Sequence, residues 1–282
     1  MPPARRRPVR GFPARPRDTG RGPVRAAREP AVNALIAAAA GDADTAERLA
    51  RAGVDVIVAY HSSVLRRRGL PSVAGLLPWA NANELTLGIV PEVVAAAAGR
   101  PVLATVCAND ALRPPGPVLD ELAGHGVAGV LNAPTTALLS GPVRAAVEEA
   151  GLGYRREVEL MGLARERGLL AWGYACAPSQ AADLVAHGAD AVVIHLGITR
   201  PGPLTAEHTA TLTAVAAAAP AVPLLAHGGP LTDPAAFPRT GHDGVRFGFF
   251  GASVFERAQD LDGTVAAWRR AVGENGGPCR TT

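Results

Sequence analysis

Residues 184–197 read LVAHGADAVVIHLG. A helix-forming end meets Gly188, the residue type that most easily takes the left-handed conformation closing a helix. Ala191–Ile194 follows as a short, β-prone apolar run, the signature of a strand buried on both faces. The run stops at His195, Leu196 and Gly197. The same order recurs at 49–62 (LARAGVDVIVAYHS), at 122–134 (LAGHGVAGVLNAP) and more loosely at 238–253 (PRTGHDGVRFGFFGAS). Between these units lie strands introduced differently, through Arg-Pro, Gly-Leu or Val-Pro. The full set is 33–40, 54–60, 101–107, 126–132, 169–175, 189–196, 221–227 and 244–250, separated by Ala/Leu/Glu/Arg-rich helical stretches. Eight β/α units over this length predict an α/β fold, a single-domain (β/α)8 TIM barrel. A two-unit period suits a closed cylinder, whose inner layers draw on alternate strands; an open doubly wound sheet is the alternative.

The chain has 282 residues, 48% hydrophobic and 19% charged, with a net charge of +3. Residues 1–30 hold nine Arg against Asp18 and Glu29, a balance of +7, which leaves −4 on the other 252 residues. This Arg/Pro/Gly-rich stretch cannot build a core and is expected to be a disordered basic extension. The barrel is expected over 31–273 and a flexible tail over 274–282. With the positive charge confined to one tail, nucleic acid is not an expected partner. No run is long and apolar enough to cross a membrane, and the tail lacks the apolar segment of a secretory signal. Three widely spaced cysteines imply no disulfide framework and fit a reducing cytoplasm. All 28 basic residues are Arg. The absence of lysine excludes Schiff-base catalysis and a phosphate-loop lysine.

In this architecture chemistry belongs at the C-terminal ends of the strands. Those ends carry Tyr60, His61, Ser62 and Ser63, then Asn109 and Asp110, then Asn132, Pro134 and Thr135. His195 and His227 end neighbouring strands, where two imidazoles at one level can share a ligand. They are candidate acid/base residues, with Asp110 and Asn132 orienting substrate or water; two hydrogen-bonded wall histidines are the alternative. A divalent metal held with Asp110 is a further option, though no tight ligand spacing supports it. Gly228, Gly229, Gly251, Ala252 and Ser253 follow strands 7 and 8, a corner where backbone N–H groups can hold an anion. Ordinary βα turn chemistry is the alternative. Residues 61–80 read as a long loop whose Arg66–Arg68 either clamp an acidic substrate or stay solvated. Tyr154 and Glu157 open a helix after strand 4, on the face of the histidines, with Glu157 the candidate carboxylate. Val254, Ala258, Leu261, Val265, Trp268 and Val272 form one helical stripe that Ser253 and Glu256 are expected to start as a capping box.

These stretches, taken as a set, resemble a known family. AYHSSVLRRRGLPSVAGLLPWANAN (59–83), VCAND, NAPTTALLSGPVRAAVEEAGLGYRREVEL, HLGITRPG, AHGGP and FFGAS run collinearly over about 32–260. They resemble the phosphoenolpyruvate hydrolase-like TIM-barrel family, which also supplies the C-terminal domain of the plant tobamovirus-resistance protein. The resemblance implies a cytoplasmic, homo-oligomeric barrel that binds a small anionic metabolite, with hydrolase or lyase activity, or else a non-catalytic ligand-binding or interaction barrel. The family usually has Tyr-Asn-Ser-Gly where this chain has Tyr60-His61-Ser62-Ser63. Its Tyr-Gly-Asp-Ala-Asn is replaced by Trp79-Ala80-Asn81-Ala82-Asn83, which loses an acid. These departures fall in the site and imply altered specificity or little activity.

Overall fold

The computed structural model describes residues 35–77, 80–238 and 247–274. The basic extension at 1–30, and all of the expected C-terminal tail except Glu274, lie outside them. Eight parallel strands close in sequence order into a barrel. They are β1 (Ile36–Ala40), β2 (Val56–Ala59), β3 (Val102–Val106), β4 (Gly129–Asn132), β5 (Leu170–Ala175), β6 (Ala191–His195), β7 (Leu224–His227) and β8 (Phe247–Gly251). Pairing of β1 with β8 (Ile36 opposite Phe249) completes the cylinder. The helices α1 (Ala43–Ala52), α3 (Ala82–Ala96), α4 (Pro115–Gly124), α6 (Arg155–Arg165), α7 (Pro178–Ala186) and α8 (Ala206–Ala218) follow β1 to β6, and α10 (Leu261–Glu274) follows β8; among the described residues β7 is followed only by a 3-10 turn at Pro234–Ala236. Three further short helices, α2 (His61–Arg67), α5 (Gly141–Glu149) and α9 (Ser253–Glu256), sit in the βα connections.

The repeat has a physical origin. Gly53, Gly126 and Gly188 take φ of 87°, 82° and 94°, so the chain reverses from helix into strand where a Cβ would be strained. Two residues on, Asp55 Oδ2 accepts Ile36 N–H at 2.7 Å and Asp190 Oδ2 accepts Ala171 N–H at 2.8 Å. Each carboxylate thus caps an N–H at the start of the preceding strand. Arg269 of α10 adds a 2.6 Å ion pair to Asp55.

Alternation along the strands divides the core in two. Val58, Leu103, Leu131, Trp172, Val193, Leu225 and Phe250 fill the barrel interior. Leu49, Val93, Leu119, Met161, Leu184 and Val215 pack between strands and helices. In that outer layer Trp268 stacks flat on Phe249, with ring centroids 3.5 Å apart.

Two local expectations are corrected. Residues 61–80 are not an open loop: α2 and a 3-10 turn at Ser72–Gly75 form a strap over the barrel mouth, and Pro78 and Trp79 lie outside the described residues. The final stripe is not one helix, because the chain breaks between α9 and α10, where Asp260 Oδ1 accepts Gly263 N–H at 2.9 Å. Nor do Ser253 and Glu256 form a capping box; the N-cap of α9 is Ala252, without a side-chain cap. Glu256 instead reaches across to α2, where Arg66 offers a stronger partner than a backbone N–H.

Candidate active site

Register places the two histidines together. His195 of β6 pairs directly with His227 of β7, and their ring centroids are 4.8 Å apart, edge to face. Tyr174 packs 4.9 Å from His195 and 5.3 Å from His227, and Phe250 stacks 4.7 Å from His227. Tyr174 Oη is buried facing Tyr60 without the geometry of a hydrogen bond. Burial pushes that phenol well above its ordinary pKa, so it stays protonated.

The hydrogen bonds assign the imidazole tautomers. Gly197 N–H donates to His195 Nδ1 at 3.1 Å, so that nitrogen is bare and the proton sits on Nε2. His227 Nδ1 lies 2.8 Å from Phe250 O, an acceptor, so this nitrogen carries the proton and Nε2 holds the lone pair. Burial, with the neighbouring His227, lowers the pKa of His195 well below its ordinary value. Burial drives His227 down to about 4, offset in part by Phe250 O and reinforced by Arg66. Both rings are therefore neutral at pH 7, one presenting an Nε2–H donor and the other an Nε2 acceptor.

They line a small cavity of 40 Å³ together with Tyr60, Ser62, Arg66, Ser253 and Thr199. A second lobe of 40 Å³ shares Tyr60, Ser62, Ser72, His195 and Ile198 and adds Tyr174 and Thr135. Among the described residues neither lobe has a carboxylate in its wall. Arg66 supplies the cation. Its Nε and Nη2 donate to Glu256 Oε2 and Oε1 at 2.5 and 2.6 Å, and its guanidinium lies 5.6 Å from the Tyr60 ring centroid. Burial works against its charge, but Glu256 outweighs that and raises the Arg66 pKa. Arg67 pairs outward with Asp42.

The remaining expected residues divide sharply. Ser62, Tyr60, Ala252 and Ser253 reach the mouth as expected. Gly228, Gly229 and Gly251 line neither lobe. Gly229 N–H already donates to Gly197 O at 2.8 Å, and a Cβ on Gly228 would strike Gly197 O. A Cβ on Gly251 would strike the Phe255 ring. These glycines let strand exits pack closely, and none of the three is in the wall of either lobe.

Asp110, Asn132 and Glu157 also differ from expectation, since their polar atoms are occupied by protein. Asp110 accepts four hydrogen bonds, from Asn81 and Asn83 side chains and from Leu112 and Arg113 N–H groups. Burial pushes its pKa up, but these donors together hold it below the ordinary value. Asn132 takes Tyr174 N–H at 2.6 Å and gives its Nδ2 to Glu157 Oε2 at 2.6 Å. Glu157, fully buried, also accepts Thr136 N–H and Oγ1 at 2.7 and 2.6 Å. Burial raises its pKa to about 7 against the pull of the Thr135, Thr136 and Asn132 donors. Tyr154 Oη donates to Tyr174 O at 2.5 Å and lines neither lobe. Among the described residues no three His, Cys, Asp or Glu side chains converge, so Asp110 does not join the histidines in a metal site.

Sequence reasoning named Arg66 only within a triplet and missed Ser72, Ile198 and Thr199. Reading 61–67 as a helix would have placed Ser62 and Arg66 on one face, four residues apart.

A family model described as phosphoenolpyruvate hydrolase-like matches residues 26–261. The chain belongs to that family. This family member is 39% identical, over 251 residues, to the tomato (Solanum lycopersicum) ToMV resistance protein Tm-1(GCR237) and to its susceptible counterpart tm-1(GCR26). The match covers 83% of this chain but 33% of each relative, so the chain spans about a third of their length. Among solved structures, a phosphonopyruvate hydrolase in complex with oxalate and Mg++ aligns with TM-score 0.51 and 16% identity, over 84% of this chain and 80% of that one. KGPDC from Streptococcus mutans, in complex with D-R5P, aligns with TM-score 0.55 and 14% identity, over 86% and 98%. These two likenesses are of fold alone. No helix among the described residues is long and apolar enough to cross a membrane.

Proposed function

We propose that the mouth binds a small phosphorylated or carboxylated metabolite and cleaves it by hydrolase or lyase chemistry, with the histidine pair handling the proton. The observation that carries this reading is the pairing of complementary neutral tautomers on adjacent strands, in a cavity walled by Arg66 and, among the described residues, free of carboxylates. His227 Nε2 accepts a proton from substrate or water, and His195 Nε2–H donates to the departing oxygen. A bound anion beside His227 stabilises its imidazolium and raises its pKa toward neutrality, which makes it a competent base only when substrate is present. Arg66 Nε and Nη2 are engaged by Glu256, which leaves Nη1 for the anion. Family membership supports the reaction class. The donor set does not fit a divalent metal, because both oxygens of Asp110 and of Glu157 are already occupied; no step is assigned to one.

Each lobe has room for about one water, so a metabolite requires the α2 strap and the Ile198 segment to shift. The test is His227→Ala against a panel of small phosphorylated and carboxylated acids. Turnover should be lost while the circular dichroism melt is kept; unchanged turnover overturns the reading. The small size of the lobes favours a second reading, a non-catalytic interaction barrel, in which no acid is turned over and the variant keeps its partner.

A further inference from the structure

A far larger opening than the two lobes lies toward this end of the barrel, away from the histidines. A cavity of 380 Å³ lies beside the mouth, between the strap, the β3 exit and α5. That volume is in the range of small-molecule sites and holds roughly a dozen waters. Its walls are mostly apolar: Leu76 and Leu77 from the strap, Leu85 from α3, and Leu139, Val147 and Leu152 from the β4–α6 connection.

The polar atoms on its wall select against an anion. Among the described residues no Arg lines it. The one carboxylate among those that do line it, Asp110, has both oxygens engaged by N–H donors, and His61 is neutral, its Nε2 donating to Gly75 O at 2.8 Å. Cys107 is a thiol, with burial pushing its pKa up to about 11. Asn109 likewise offers the cavity nothing polar: its Nδ2 donates to Leu152 O at 2.5 Å and Gly153 O at 2.8 Å, and its Oδ1 is buried out of reach of a water-sized donor.

We propose that this lateral cavity is a second ligand site, taking a neutral, mainly apolar small molecule. It is chemically distinct from the mouth and does not rest on the hydrolase reading. The two are nonetheless adjoining, because Gly75, Leu76, Pro134 and Thr135 line both this cavity and the second mouth lobe.

The test is calorimetric titration of the full chain with 4-propylphenol, 4-propylanisole and 4-propylbenzoate. The phenol should bind saturably with one site. The methyl ether should also bind, since apolar contact carries the affinity, and the carboxylate should not bind, since its charge would be desolvated without a partner. Val147→Trp, on a helix with no buried residues, should abolish phenol binding without lowering the melting temperature; Val147→Phe, a smaller filler, should weaken it if the tryptophan variant fails to fold. Equal binding of all three probes, phenol binding that survives both fillers, or no saturable phenol binding to the folded wild type overturns the proposal.

Discussion

The mouth and the lateral cavity share a wall, yet they are built from opposite materials. At the mouth, aromatic rings and hydroxyls surround two neutral imidazoles and one anchored guanidinium, in lobes of 40 Å³. A few ångströms of strap away, mostly apolar side chains surround 380 Å³. The difference shows what decides ligand class on this fold. Both openings lie beyond strand ends, but the mouth receives Arg66 because α2 turns that residue inward to meet Glu256, whereas among the described residues the lateral wall receives no cation. Glu256 sits 190 residues away in sequence and chooses Arg66 over its neighbours.

The sharpest way to break the contrast is at the histidines. His227→Ala should lower turnover by about 10²–10⁴-fold and leave 4-propylphenol binding intact, as steady-state rates and titration will show. Next in size, Glu256→Ala leaves the Arg66 charge buried and unpaired. Denaturant unfolding should record a loss of about 3–5 kcal/mol, most of it recovered in the double variant Arg66→Met/Glu256→Met. If the single variant is neutral, Arg66 is not held as described.

Glu157 predicts a pH effect separate from both cavities. Its folded pKa of about 7 exceeds the ordinary 4.5, so the native state binds the extra proton and stability falls as pH rises between these values. The histidines act oppositely. His61 and His227, at about 4 against 6.5, cost stability as pH falls below 6.5. Unfolding of Glu157→Gln across pH 4.5–8 should therefore lose the declining limb, up to about 3 kcal/mol, and keep the histidine limb. The smallest expected effect is at the shared wall. A Cβ on Gly75 would strike Ser62 Oγ, so Gly75→Ala should cost about 1–2 kcal/mol and change ligand binding in both cavities.

The barrel was legible because its signals are local. Gly53, Gly126 and Gly188 mark each helix-to-strand reversal, and the apolar runs that follow need no distant partner to be recognised. The histidine pair was legible for the same reason, since barrel register brings adjacent strand ends level. Asp110, Asn132 and Glu157 were not, because their partners come from other units of the chain: Asn81, Tyr174 and Thr136 decide that these side chains brace the rim. The glycines after β7 were ambiguous for a related reason. A close backbone approach looks the same in sequence whether a ligand or the neighbouring turn does the approaching.

The most direct trial is nitrogen NMR of histidine-labelled protein at pH 7, before and after addition of oxalate. Unliganded, His195 should carry its proton on Nε2 and His227 on Nδ1. Oxalate should then shift those two rings and leave His61, on the lateral wall, unmoved. Finding either ring of the pair already charged, the opposite tautomers, or a response confined to His61 would contradict the account.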